Sequence, residues 1–128
     1  MLLGVDPGTR KCGFAVLERS GEPIELGIVA LDAFAERLAA LHARYTFAFV
    51  AIGEGTNARA IATLVEQAGL PYALVDEHET TLQARARFFD DHPPRGWRRL
   101  VPRGMLLPDR PIDDYAALLI AERYLERA

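Results

Sequence analysis

Apolar and polar positions follow two rhythms along this chain, and the switches between them mark out its elements. Met1–Asp6, Gly13–Leu17 and Ile24–Ala30 are short apolar or alternating runs joined by Pro7-Gly8 and Gly21-Glu22-Pro23, which predicts three strands in an antiparallel meander. Pro7 presets one turn corner and Gly8 suits the positive φ of the next, so the first connection reads as a type II turn. Asp32 stands where a helix cap is expected, ahead of Phe34, Leu38, Leu41 and Tyr45 on one apolar face. Phe47–Ile52 is a continuous apolar run, as in strands buried on both faces. A second helix carrying Ile61, Leu64, Val65 and Ala68, capped by Thr56 or Asn57 and ended by Gly69, leads to a fifth strand, Pro71–Val75. Thr80 with Gln83 makes a capping-box pattern for a third helix to Asp90, and a last amphipathic helix runs from Asp113 to Arg127.

A meander followed by alternating helices and strands predicts an α/β fold. Right-handed crossovers place strand four beside strand one and strand five outside it, giving a five-stranded mixed sheet in order 3-2-1-4-5 flanked by helices. The crevice of such a sheet lies beyond the carboxyl ends of strands one and four. Asp6 ends strand one, Glu54 follows strand four, Asp76 and Glu77 follow strand five, and Asp113 and Asp114 open a helix that can cross the same rim. No Lys, Arg or His precedes Asp6, so its partner must come from elsewhere. Clustered carboxylates repel unless a cation joins them, and donors of oxygen alone suit Mg²⁺ or Mn²⁺.

Composition narrows the class. With 128 residues, half of them hydrophobic and 26% charged, the chain is expected to form one domain over residues 1–128 rather than a disordered or collagenous polymer. It has neither an apolar run of transmembrane length nor a leader pattern, so a cytoplasmic protein with no membrane partner is expected. Cys12, the single cysteine, permits no internal disulfide and reads as a small buried hydrophobe. The net charge of −3 is unevenly spread: Ala84–Pro111 holds seven arginines against three aspartates, so the remainder carries −7. Within it, residues 91–111 form a Pro-, Gly- and Arg-rich loop, too long for a tight connection and therefore functional or mobile. Arg95, Arg98, Arg99, Arg103 and Arg110 are candidates for nucleic-acid phosphates, and Trp97 is a candidate to stack on an unpaired base.

The blocks "LLGVDPGTRKCGFAV", "LVDEHETTLQARA" and "IDDYAALLIAERYL" resemble, in order and from end to end, the three signature blocks of the YqgF/RuvX proteins. These have a ribonuclease-H-like fold and are related to the RuvC Holliday-junction resolvases. The resemblance implies a metal-dependent nuclease acting on structured nucleic acid, either branched DNA such as Holliday junctions or RNA including rRNA precursors. It puts Asp6, Glu77 and Asp113 in the acidic positions, where they would hold two Mg²⁺ or Mn²⁺ ions. Two departures stand out: "IGEGTNARA" replaces the usual Gly-Leu-Pro loop, and Asp76-Glu77-His78 replaces Asp-Glu-Arg.

Other residues have supporting parts. Thr9 and Thr81 are candidates to orient a carboxylate or water, Asp114 is a helix N-cap or an additional ligand, and His78 and His92 are surface residues, proton carriers or phosphate contacts. Glu54 is nearer on the bare sheet and matches the place where RuvC-type resolvases carry their glutamate, whereas the YqgF-type pattern points to Glu77. Two other classes stay open. One is a non-catalytic nucleic-acid-binding module of the same fold. The other is an actin-like ATPase lobe, since sugar kinases and Hsp70-type ATPases begin with a similar first block but close a second lobe over nucleotide. Both monomer and homodimer are compatible with the sequence.

Overall fold

A computed structural model describes residues 1–76, 80–100, 108 and 110–127, with the side chains of 80–82, 97, 98 and 127 outside the description. Five strands, β1 (Leu2–Pro7), β2 (Lys11–Leu17), β3 (Pro23–Ala30), β4 (Phe49–Gly53) and β5 (Tyr72–Val75), form one sheet in the order β3-β2-β1-β4-β5. The meander β1-β2-β3 is antiparallel, while β4 and β5 run parallel to β1. This is the arrangement that the crossover rule dictates.

Strand alternation divides the interior into two faces. Leu3, Val5, Cys12, Phe14, Val16, Val50 and Ile52 pack with Phe34, Leu38 and Leu41 of α1 (Phe34–Tyr45) and with Ile61 and Val65 of α2 (Ala58–Gln67). The alternate positions Leu2, Ala15 and Leu17 pack with Ala84, Phe88 and Phe89 of α3 (Thr80–Asp91) and with Tyr115, Leu118 and Ala121 of α4 (Asp113–Arg127). Among the described residues, no helix is long and apolar enough to cross a membrane.

Small residues allow α4 to lie almost on the sheet. A Cβ on Gly4 would strike the carbonyl of Ala117 and stand 2.7 Å from the Cβ of Ala121. A Cβ on Gly13 would overlap the carbonyl of Asp113 and stand 2.7 Å from the Asp114 nitrogen. The sheet therefore sets the position of the first turn of α4 through direct backbone contact.

Several local expectations are corrected. Gly8 has no positive φ; β1 extends to Pro7, paired with Cys12, and glycine is required at position 8 because a Cβ there would meet the Lys11 carbonyl. The turn is not type II. Asp32 does not cap α1: it lies in a 3₁₀ turn, Leu31–Ala33, and the N-cap position is Ala33. Asn57 occupies the N-cap position of α2, but its side chain is drawn to another loop. Gly69, at φ +76°, does end α2, following the C-cap Ala68. Within the 91–111 loop, Gly96–Leu100 forms a 3₁₀ helix.

Candidate active site

Asp6 is the penultimate residue of β1 and pairs across the ladder with Gly13. Gly13 has no side chain, and the backbone of Asp113 fills the space above it. The half-buried Asp6 thus lies on the α4 face of the sheet, next to the point where α4 begins. The thiol of Cys12 registers both carboxylates. Its pKa is pushed up to about 12, first by burial and then by the negative charges of Asp6 and Asp113. Two residues separated by 107 positions in sequence are thereby brought to one end of the sheet.

Asp113 and Asp114 have different surroundings. The Ala116 N–H donates to the Ile112 carbonyl at 3.1 Å, which puts both aspartates inside the first turn of α4, where the helix dipole favours negative charge. Asp114 is therefore not the N-cap. It is buried, accepts a hydrogen bond from the Tyr115 N–H at 3.0 Å and is gripped by Arg110 at 3.4 Å through both oxygens. Asp113 instead pairs with Lys11, with Nζ 3.5 Å from Oδ2, and that buried Oδ2 has no hydrogen-bond partner. Lys11 was not singled out by the sequence; its place in an Arg-Lys pair directly after the first turn was the available signal.

The loop after Asp6 is held from β4's side of the sheet. Asn57 Nδ2 donates to the Gly8 carbonyl at 2.6 Å and to the Thr9 carbonyl at 3.4 Å. The only sequence signal was a cap residue, and the side chain took a distant carbonyl in place of its own helix. Glu54 is exposed beyond β4, and its N–H donates to the Val75 carbonyl at 3.0 Å, which fixes the backbone there despite the flanking glycines. Among the described residues, no three His, Cys, Asp or Glu side chains gather closely enough to hold a metal ion, so neither Glu54 nor Asp114 completes a trio with Asp6 and Asp113. Glu77, His78 and Arg103 lie outside the described residues, as do the side chains of Thr81, Trp97 and Arg98.

The described basic residues divide into two kinds. Arg95 and Arg99 are exposed, Arg99 with a weak 3.3 Å bond to the Gly96 carbonyl. Arg110 has an internal post: besides Asp114 it donates to the Pro111 carbonyl at 2.7 Å, and its guanidinium lies 5.1 Å from the Phe88 ring centre and 5.7 Å from that of Tyr115. His92 is exposed and stacks on Phe88 with ring centres 4.6 Å apart.

Comparison with solved structures defines the class of fold. The chain is similar to RuvC of T. thermophilus in complex with a Holliday junction substrate, at 19% identity and TM-score 0.60, over 94% of this chain and 89% of that one. It is also similar to the Fowlpox virus resolvase in complex with Holliday junction DNA, at 10% identity and TM-score 0.61, over the full length of both. The sheet order and flanking helices are those of the RuvC-like ribonuclease H fold. No protein-family model matches the sequence, and no curated protein matches it.

Proposed function

We propose that this chain is a divalent-metal-dependent nuclease that hydrolyses phosphodiester bonds in branched DNA, with Asp6, Asp113 and Glu77 as its acidic residues. The observation that carries the reading is the convergence of Asp6 and Asp113 at the carboxyl end of β1, with Asp6 paired to Gly13 in the ladder and the Asp113 backbone lying over it. The fold shared with two junction resolvases and the three YqgF/RuvX-like blocks support the same reading.

The donor set suits a hard divalent cation. It consists of carboxylate oxygens without a His or Cys pair, and Asp113 Oδ2 is buried without a hydrogen bond. Asp6, Asp113 and Glu77 would hold Mg²⁺ or Mn²⁺. A pair of such ions supplies an activated water at neutral pH and offsets charge on the departing 3′ oxygen.

The chain's own residues do the positioning. The contact of Gly13 with Asp113 sets the spacing of the two aspartates, Asn57 holds the turn after Asp6, and Lys11 offsets the charge of Asp113. The YqgF/RuvX resemblance points to Glu77, and strand parity speaks against Glu54. Glu54 stands two positions after Ile52, which packs on the α1–α2 side, away from Asp6. Glu54, Asp114, Thr9 and Thr81 remain auxiliary candidates.

A cleavage panel of four-way junction, flap, duplex and single-stranded DNA and RNA, with Mg²⁺ or Mn²⁺, tests the reading. Junction cutting that chelator abolishes is the expected result. Cutting of structured RNA alone would transfer the activity to the RNA-processing side of the YqgF/RuvX resemblance, and no cutting of any substrate would leave a binding module.

A further inference from the structure

Beside the acidic centre, where α3 meets the start of the basic loop, lies a groove of about 560 Å³ lined by Phe88, His92, Pro93, Pro94, Arg95 and Arg110, among others. Its volume falls within the range of small-ligand sites. It is built in layers. Phe88 is buried and covered by the His92 ring at 4.6 Å and 19°, while the Arg110 guanidinium lies 5.1 Å from its ring centre. His92 Nδ1 stands 3.2 Å from the Phe88 carbonyl, which fixes the ring against the helix end. One face of His92 is thus taken by Phe88, and the residue is exposed and lines the groove. The two prolines add rigid apolar walls. Arg95 is exposed and makes no hydrogen bond or ion pair among the described residues. The carboxylate on the lining, Asp91, is engaged by the Tyr115 hydroxyl at 2.7 Å.

A stacked ring, proline walls and an open guanidinium match a planar heterocycle carrying a phosphate. The groove is also linked to the acidic centre, since Arg110 forms a hydrogen-bonded ion pair with Asp114, the neighbour of Asp113 in the chain. We infer that this groove holds one unpaired nucleotide of the nucleic-acid substrate, its base stacked on His92 and its phosphate on Arg95. A strand whose phosphodiester lies near Asp6 and Asp113 would leave one flanking base to be drawn out of its stack and parked there. The inference rests on the nuclease reading for the identity of the strand, but the groove is testable without cleavage.

The test is equilibrium binding of a fluorescein-labelled oligothymidylate pentamer to the full chain in chelator, with junction cleavage measured separately. His92→Ala should weaken binding about tenfold, the scale of one lost base–aromatic stack. His92→Phe, which keeps the flat face, should bind as wild type does. Arg95→Ala should weaken binding and lower the salt slope by about one unit. Circular dichroism of each variant should match wild type, as both residues are exposed. Wild-type affinity in His92→Ala, or equal loss in His92→Ala and His92→Phe, would overturn the groove assignment while leaving the nuclease reading intact. His92-dependent binding in a chain that cuts nothing would uphold the groove and end the nuclease reading.

Discussion

The carbonyl of Asp113 lies where any side chain at position 13 would have to be. Gly13 pairs with Asp6 across the β1–β2 ladder, so this contact sets how closely the two aspartates approach. Gly13→Ala should push the first turn of α4 off the sheet. The expected cost is about 1–3 kcal/mol, the usual scale for overpacking, measured by urea denaturation. Cleavage by the folded variant should fall as well, because the carboxylates part. Wild-type stability in this variant would show that α4 adapts freely and that the contact does not set the site.

The Cys12 thiol gives a pH signature. In the folded chain it keeps its proton to about pH 12, against about 9 for an ordinary thiol, through burial and then the charges of Asp6 and Asp113. Between those values the unfolded chain has released a proton that the folded chain still holds. Stability is therefore full below about pH 9 and falls as pH rises towards 12. Tyr115, raised to about 12 by burial and by its bond to Asp91, acts in the same direction. Urea midpoints from pH 8 to 11 should decline, and Cys12→Ala should make the decline shallower. An identical slope in the variant would contradict a buried thiol beside two carboxylates.

Asn57→Ala should remove the clamp on the Gly8 and Thr9 carbonyls. About 1 kcal/mol of stability is expected to go with it. A larger relative loss is expected in cleavage, because the turn after Asp6 loosens. Asn57→Asp should be no better, since a carboxylate cannot donate to a carbonyl. Full activity in both variants would reduce Asn57 to a bystander.

The sheet order was legible because crossover handedness and the meander leave few choices, and apolar runs such as Phe47–Ile52 have one plausible use. The shortfall lies where a side chain or glycine serves a distant partner. Asn57 carries the local signature of a cap yet bonds Gly8, and Gly8 carries the signature of a turn yet yields room to Lys11. Gly13 looks like a strand glycine until α4 is laid over it. The aspartates of the first and last blocks could be named from residue type and expected topology. Their separate environments, with Lys11 on Asp113 and Arg110 on Asp114, arise only from helix packing.

Glutamate choice is tested by a pair of isosteric variants. Glu77→Gln should abolish cleavage while retaining fold and substrate binding, whereas Glu54→Gln should leave a measurable rate. Glu54 is exposed and follows the α1–α2 parity of β4. The reverse ranking would mean that the site takes its glutamate from β4, in the manner ascribed to RuvC-type resolvases.

The most direct test of the central claim is single-turnover cleavage of a four-way junction by wild type, Asp6→Asn and Asp113→Asn in Mg²⁺ or Mn²⁺, with junction affinity measured in parallel. Both variants keep the side-chain shape and lose one charge. Losing even a partner that merely orients a metal ligand typically costs 10- to 100-fold, so removing a ligand's charge should slow cleavage by more than about a hundredfold while affinity is retained. Cleavage by both variants at the wild-type rate would contradict the account, because the two aspartates brought together at the end of β1 would then have no part in the chemistry.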